Sequence, residues 1–254
     1  MSSVNKSTRT HFLAGCMVAA LSMAFAGASW AAPIPVGTGD ANVVGSSPPE
    51  VGCCGSRDED NIVNGSGFGV SGGKLIVNTG QPNDNNWNTE TATADITFDL
   101  GAVFNIDFIQ IWNFNDSFGN NDFGPETIDL LVSNVGTNAQ DADFSASSIL
   151  VTLPIAHATG SLVYFGENYR FNGKAASDIP SELGGVLHDY SGVAVQGRFV
   201  RFANLDGSLS YSGRTGLSEV RFFGTAVPEP STLLLMGVCL AGLGFAQRKT
   251  KTRS

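Results

Sequence analysis

The chain is poor in the residues from which most catalytic and metal centres are built. Its 254 residues include only three histidines and four cysteines. His157 and His188 stand alone, and no Cys or His cluster supplies the three or four ligands of a zinc site. There is no Gly-x-Ser-x-Gly elbow, no phosphate-cradling glycine loop and no His-Glu-x-x-His pair, so the usual signatures of an acyl hydrolase, a nucleotide enzyme and a zinc protease are missing. Among 23 acids some pair always meets the carboxylate spacing of a glycosidase, so that spacing discriminates nothing. The body is accordingly read as non-enzymatic. Positive charge is scarce too, with 14 Lys+Arg, and six of these crowd into the ends as Lys6, Arg9, Arg248, Lys249, Lys251 and Arg253. Setting those six and Glu229 aside leaves 8 cations and 22 acids in residues 33–226, a net charge of −14. Such a field repels phosphate backbones and anionic lipid, which excludes nucleic acid as a partner and suits a soluble extracellular body.

Two cysteines, Cys16 and Cys239, lie in the terminal segments, and the other two, Cys53 and Cys54, are adjacent. In an oxidising compartment neighbours in sequence cannot both pair with other residues of this body. A strained vicinal disulfide, links between two chains, or free thiols remain open.

What is present in strength is organised at the ends. Val227-Pro228-Glu229-Pro230 leads into an apolar run, Leu233 to Ala246, and then into Arg248, Lys249, Lys251 and Arg253. As a helix that run reaches about 21 Å at about 1.5 Å per residue, short of the roughly 30 Å of a bilayer core. It reads as a short transmembrane sorting helix, with its basic end on the cytoplasmic side. The layout resembles the PEP-CTERM sorting signal of Gram-negative bacteria. That resemblance implies processing near Pro-Glu-Pro by an exosortase-type membrane protease. At the other end Lys6 and Arg9 precede an apolar stretch, Phe12 to Gly27, and small residues around Ala28-Ser29-Trp30-Ala31. This is the order of a secretory signal peptide, cut by signal peptidase after Ala31 or Ala32. Leu13-Ala14-Gly15-Cys16 matches a lipobox, but most of the hydrophobic region follows Cys16 instead of preceding it. The expected organisation is a signal peptide (1–32), a body (33–226) and a sorting tail (227–254). The protein is expected to be exported, held in the membrane by its tail, and then placed at the cell surface or outside the cell.

The body shows no sustained 3.6-residue apolar period and no internal repeat. It shows short strand-like runs split by Gly, Asn, Asp and Ser: Ala94–Leu100, Ile106–Trp112, Ile128–Ser133, Ile149–Leu153, Arg198–Ala203 and Ser218–Phe223. Ile96, Phe98 and Leu100 alternate with Thr97 and Asp99, as in a half-buried strand. Many short strands with turn chemistry between them predict an all-β sandwich or jelly roll. Residues 40–93 read as long loops around one or two strands, and the stretches Ile62–Asp84 and Glu167–Leu187 resist placement.

Four pieces in order carry a further resemblance. They are Ala94-Asp-Ile-Thr-Phe-Asp-Leu-Gly101 with Phe104-Asn-Ile-Asp-Phe-Ile-Gln-Ile-Trp-Asn113, then Ile128-Asp-Leu-Leu-Val-Ser133, Gly197-Arg-Phe-Val-Arg-Phe202, and Gly216-Leu-Ser-Glu-Val-Arg-Phe-Phe-Gly224. Together they resemble discoidin domains, the coagulation factor 5/8 type C, galactose-binding-like sandwiches. Asn61-Ile-Val-Asn-Gly65 resembles the family's Ala-x-Asp-Gly loop, and Trp87 stands where a Trp follows it. The resemblance implies one structural calcium where this loop meets the closing strand. Its ligands would come from Glu219, from Asn64 in place of the usual Asp, from Ser66, and from Asp58 and Asp60 nearby. It also implies ligand binding by loops at one end of the sandwich. The segment from Trp112 to Phe123 has the aromatic and amide composition of a sugar site, with Trp112, Asn113, Phe114, Asp116, Phe118 and Phe123 as candidate contacts, and Tyr164, Tyr169 and Tyr190 beyond it. The family's sugar binders place an Arg in this loop, whereas this chain has none between Arg57 and Arg170. The expected function is an exported binding module for exopolysaccharide or another surface glycan. A structural or adhesive matrix component without a small ligand, and a matrix glycoside hydrolase, are the alternatives.

Overall fold

The two strands expected at Ala94–Leu100 and Ile106–Trp112 are one. In the computed structural model Thr93–Asn113 forms a single strand of 21 residues. Gly101, at φ +79° with open space where a side chain would stand, lets the chain bend there. Pairing continues on both sides of the bend, with Phe104 opposite Gly197 and Ala226, and Asn105 opposite Gln196 and Thr225.

The structure describes residues 32–36, 41–44, 51–52, 55–56, 59–65, 68–77, 86–89, 93–115, 124–158, 164–206, 214–228 and 237–238. The strands in order are β1 (Ala32–Ile34), β2 (Ala41–Val44), β3 (Val51–Gly52), β4 (Gly55–Ser56), β5 (Phe68–Ser71), β6 (Lys74–Val77), β7 (Trp87–Thr89) and β8 (Thr93–Asn113). They continue as β9 (Thr127–Ser133), β10 (Val151–Pro154), β11 (Glu167–Arg170), β12 (Val186–Asp189), β13 (Gln196–Asp206) and β14 (Thr215–Ala226). The region before β8 thus holds more strand than the one or two expected there.

The first half of β8 pairs with β2 and β13, and β9 and β10 extend that layer beyond β13. The second half pairs with β11 and β14; β12 runs parallel to β11, and β7 and β1 share the far edge of β14. One bent strand therefore belongs to both layers of an all-β sandwich. Between the layers Ile96, Phe98, Val200 and Phe202 meet Ile109, Ile111, Val220 and Phe222 in one buried cluster. The Phe98 ring packs edge-on against Phe202 and Phe222, with centroids 5.1 Å away in each case. This is the geometry that aromatic quadrupoles favour.

Parts of the stretches that resisted placement cover the outer face of the second layer. Phe108 and Phe223 point out of the second layer and are buried under Leu183, with Leu75 of β6 and Ile179 packed alongside. The Leu75 N–H donates to Glu182 O at 2.8 Å, tying the β5–β6 hairpin to that cover. On the first layer Phe199 is buried under Ala142 and Phe144. This explains why the Arg198–Phe202 run is apolar on both faces.

Two compact units separate, Trp30–Val227 and the paired termini Met1–Ser29 with Pro228–Ser254. In the second unit Pro228, Gly237 and Val238 are the described residues. Because Phe98 is fully buried between the layers, Phe98→Ala should lower the unfolding free energy by about 3–5 kcal/mol in urea melts, with the denaturant slope unchanged.

Candidate functional site

The end of the sandwich where β8 finishes and β14 begins is closed by the residues expected to bind sugar. Trp112, Asn113 and Phe114 are all fully buried. The Phe68 ring stands edge-on to Trp112 at 4.8 Å, and the Arg221 guanidinium lies 4.0 Å over Phe68. Asn113 Nδ2 donates to Pro125 O and Ala156 O, both at 3.0 Å, while its Oδ1 accepts the Phe114 N–H at 2.8 Å. Gly124 packs so closely here that a Cβ would fall 1.9 Å from Asn113 Oδ1. The sugar-contact expectation is corrected for these three residues. The aromatics remove more apolar area from water by capping the core than by facing solvent, and the amide is spent on backbone groups that burial would otherwise strand. Asp116, Phe118 and Phe123 lie outside the described residues. Asn113→Ala should destabilise the fold by about 1–3 kcal/mol for each backbone group it strands, read from urea melts.

The later aromatics divide. Tyr169 is buried, and its hydroxyl, with one proton to give, lies 2.6 Å from Pro154 O and 2.9 Å from Glu167 Oε2. Since Pro154 ends β10 and Tyr169 lies in β11, this phenol ties the edge strand of one layer to an inner strand of the other. His188 stacks on Tyr169 at 4.9 Å and sits 3.0 Å from Glu167 Oε2. Tyr169 is thus a bridge between layers and has no exposed face for a sugar. Tyr164 and Tyr190 are half-buried, and burial pushes both phenols up.

The expected calcium locus is built around Glu219, which is 1% exposed. Its Oε1 accepts the Gly65 N–H at 3.2 Å, and Gly65 holds φ +72° to make that approach. Its Oε2 is buried without a hydrogen-bond partner among the described residues. Asn64, next to Gly65, is exposed and donates from Nδ2 to Asn61 Oδ1 at 3.3 Å. Asp58 and Ser66 lie outside the described residues, as does the side chain of Asp60 in the 3₁₀ turn Glu59–Ile62. Among the described residues no three His, Cys, Asp or Glu side chains converge on a metal-sized space. The donor chemistry nevertheless fits a hard cation, since an orphaned buried carboxylate oxygen lies against a loop offering amide oxygen.

Desolvation pushes the Glu219 carboxyl up to about 8, against the opposing pull of Arg221 and the Gly65 N–H. A carboxyl raised from its ordinary 4.5 holds its proton more tightly in the fold than in the open chain. Its contribution is therefore complete below about pH 4.5 and is lost as pH rises through about 8. Metal-free protein should show its urea midpoint falling across that window, and Glu219→Gln should flatten the fall.

At the opposite end a polar depression of about 500 Å³ opens beside the middle of β8, with Asp107 and Lys174 at its floor. Neither residue stood out in the sequence. Asp107 reads there as one more polar position in an alternating strand, and Lys174 belongs to a stretch without periodicity.

β14 ends at Ala226 beside this depression, and the Val227 N–H donates to Val103 O at 2.8 Å. Residues 226–249 match the PEP-CTERM protein-sorting motif. The chain ends in a PEP-CTERM sorting signal. In this PEP-CTERM segment Val227 is half-buried and Pro228 exposed, while Glu229, Pro230, Arg248 and Lys249 lie outside the described residues. Within its apolar run Gly237 and Val238 are helical and exposed. Among the described residues no helix is long and apolar enough to cross a membrane. The expected signal peptide, Cys53 and Cys54 also lie outside them, except that Ala32 opens β1.

No curated protein matches the chain. Solved structures similar to it include a truncated AlyQ with CBM32 and alginate lyase domains, at 12% identity and a TM-score of 0.41 over 79% of this chain. The chain spans only 35% of that protein's length. CpGH89CBM32-5 from Clostridium perfringens, solved with GalNAc-β-1,3-galactose, is 16% identical with a TM-score of 0.40, covering 76% of this chain and all of its own. The C-terminal domain of a chitobiase from Bacteroides fragilis is 13% identical with a TM-score of 0.43, covering 78% of this chain and all of its own. The sandwich assignment stands on the strand pairing and the core described above.

Proposed function

We propose that the protein is an exported carbohydrate-binding module, delivered to the cell surface or extracellular matrix through exosortase-type processing of its tail. The observation that carries this reading is the position of the sorting motif. It begins at Ala226, the last residue of β14, so the segment offered for processing starts where the sandwich is complete. Cutting near Pro-Glu-Pro would leave every strand pair intact. Signal peptidase cleavage after Ala31 would likewise leave β1 on its partner, where Ala32 faces Gly224.

The carbohydrate half of the reading is supported by sequence pieces that resemble discoidin domains and lie on β8, β9, β13 and β14. In this reading Asp116, Phe118 and Phe123 supply the contacts of the loop that follows Asn113. Calcium, held by Glu219 and Asn64, would neutralise the buried carboxylate and lock the Gly65 loop onto β14. Its role is structural. The net −14 of the body disfavours anionic partners and leaves neutral glycans as the matching class.

Two measurements test this. Mass spectrometry of the exported protein should find no peptide containing Cys239, and a mature form retaining it would refute tail processing. On a glycan array the full chain should bind, and Phe118→Ala should cut the signal of the apical loop. A blank array would refute the carbohydrate reading and leave an adhesive matrix component.

A further inference from the structure

The depression beside the middle of β8 is built for polar recognition. Its floor is Asp107, 2% exposed, and its wall and rim include Asn105, Lys174, Ser191, Gly192 and Thr225. These come from four separate parts of the chain: the second half of β8, the turn after β11, the turn after β12, and the end of β14. Lys174 Nζ pairs with Asp107 Oδ2 at 3.1 Å. An ionised carboxylate has about four lone-pair sites, so one ammonium leaves this buried group with acceptor capacity that a further donor could use. Burial raises the Asp107 carboxyl, and Lys174 and Asn172 only partly offset this.

The neighbouring groups define what would complete it. Asn172 is committed to the scaffold, donating to Ile106 O and Val195 O and accepting the Val195 N–H. Asn105 accepts from Gln196 Nε2 at 2.6 Å through Oδ1, which fixes the plane of its amide. The Ser191 and Thr225 hydroxyls and the bare Gly192 backbone stand at the rim, and a side chain at Gly192 would meet nothing within 4 Å. No aromatic side chain among the described residues lines the space, so these residues offer a ligand no ring to stack on. The one acid and one base cancel, so no strongly charged ligand is favoured. The volume of about 500 Å³ lies within the range of small-molecule sites and accommodates one or two sugar rings.

We propose that this depression is a second saccharide site, at the end of the sandwich opposite the Asn113 loop, which takes the vicinal diol of a neutral sugar edge-on between Asp107 and Lys174. One hydroxyl donates to Asp107 Oδ2 and the adjacent one accepts from Lys174 Nζ. The lysine side chain is 29% exposed on a flexible stem, and its head can yield the width of a hydroxyl. The other ring hydroxyls reach Asn105, Ser191 and Thr225. The inference rests on the carbohydrate reading of the body but places a contact where the discoidin resemblance implies none. With sites at both ends, one molecule could join two polysaccharide strands.

The test titrates the full chain with the methyl glycosides of galactose, mannose and glucose, by calorimetry and by amide chemical shifts. At least one glycoside should move the amides of Ser191, Gly192 and Thr225. Asp107→Asn, which keeps the volume and removes a desolvated charge, should weaken that binding at least about tenfold without lowering Tm. Ser191→Ala should weaken it less, and Phe118→Ala should leave it unchanged. Shifts confined to residues 116–123, or unchanged affinity in both Asp107→Asn and Ser191→Ala, would overturn the second site while the carbohydrate reading stands. No response to any glycoside from a chain that binds the glycan array would also overturn it. Silence in both assays would remove the two together.

Discussion

The fold depends on one strand doing duty in two layers. β8 can pass from the first sheet to the second because Gly101 bends the backbone while Phe104 and Asn105 keep partners on both sides. Strands of the two sheets are thereby joined through a strand they share. Phe98, Phe202 and Phe222 then fill the space between them. Each sheet leaves an apolar outer face, at Phe108 and Phe223 on one side and Phe199 on the other, and irregular segments must cover these. Much of what looks like loop in this chain is therefore cover.

The same demand shapes both ends of the sandwich. At the end of β8 the apolar character of Trp112 and Phe114 is used to close the core, and Asn113 spends all three of its hydrogen bonds on neighbouring backbone. A polar aromatic cluster was legible in the sequence there, but its role as a plug was not. At the other end Asp107 is buried in an ion pair with Lys174 beside an open depression. Buried polar atoms without a hydrogen-bond partner among the described residues occur at both ends, with Trp112 Nε1 in the plug itself. Glu219 shows the same deficit at the Gly65 loop, in a place where an oxygen-seeking cation would relieve it.

Ala32 pairs with Gly224, and the chain leaves the last strand at Ala226, so the first and last strands lie side by side. Segments entering and leaving through adjacent edge positions can be removed without opening a hydrogen-bonded ladder in the interior. The sorting motif takes up where the ladder stops.

Strand identity was readable wherever alternation was clean, as at Ile96, Phe98 and Leu100, because a period of two is a local property of the chain. The sorting motif was readable for the same reason, since Pro-Glu-Pro, apolar run and basic end lie consecutively. The acidic balance and the lack of catalytic signatures were fixed by composition alone. What needed the tertiary structure was everything set by which face meets which. Examples are the fusion of two expected strands into β8, the burial of Trp112 to Phe114, the bridge from Tyr169 to Pro154, and the meeting of Asp107 with Lys174, 67 positions apart in the chain. A sequence records each residue's chemistry and its near neighbours. Burial and partnership are decided by contacts between distant segments, which exist only once the layers have closed.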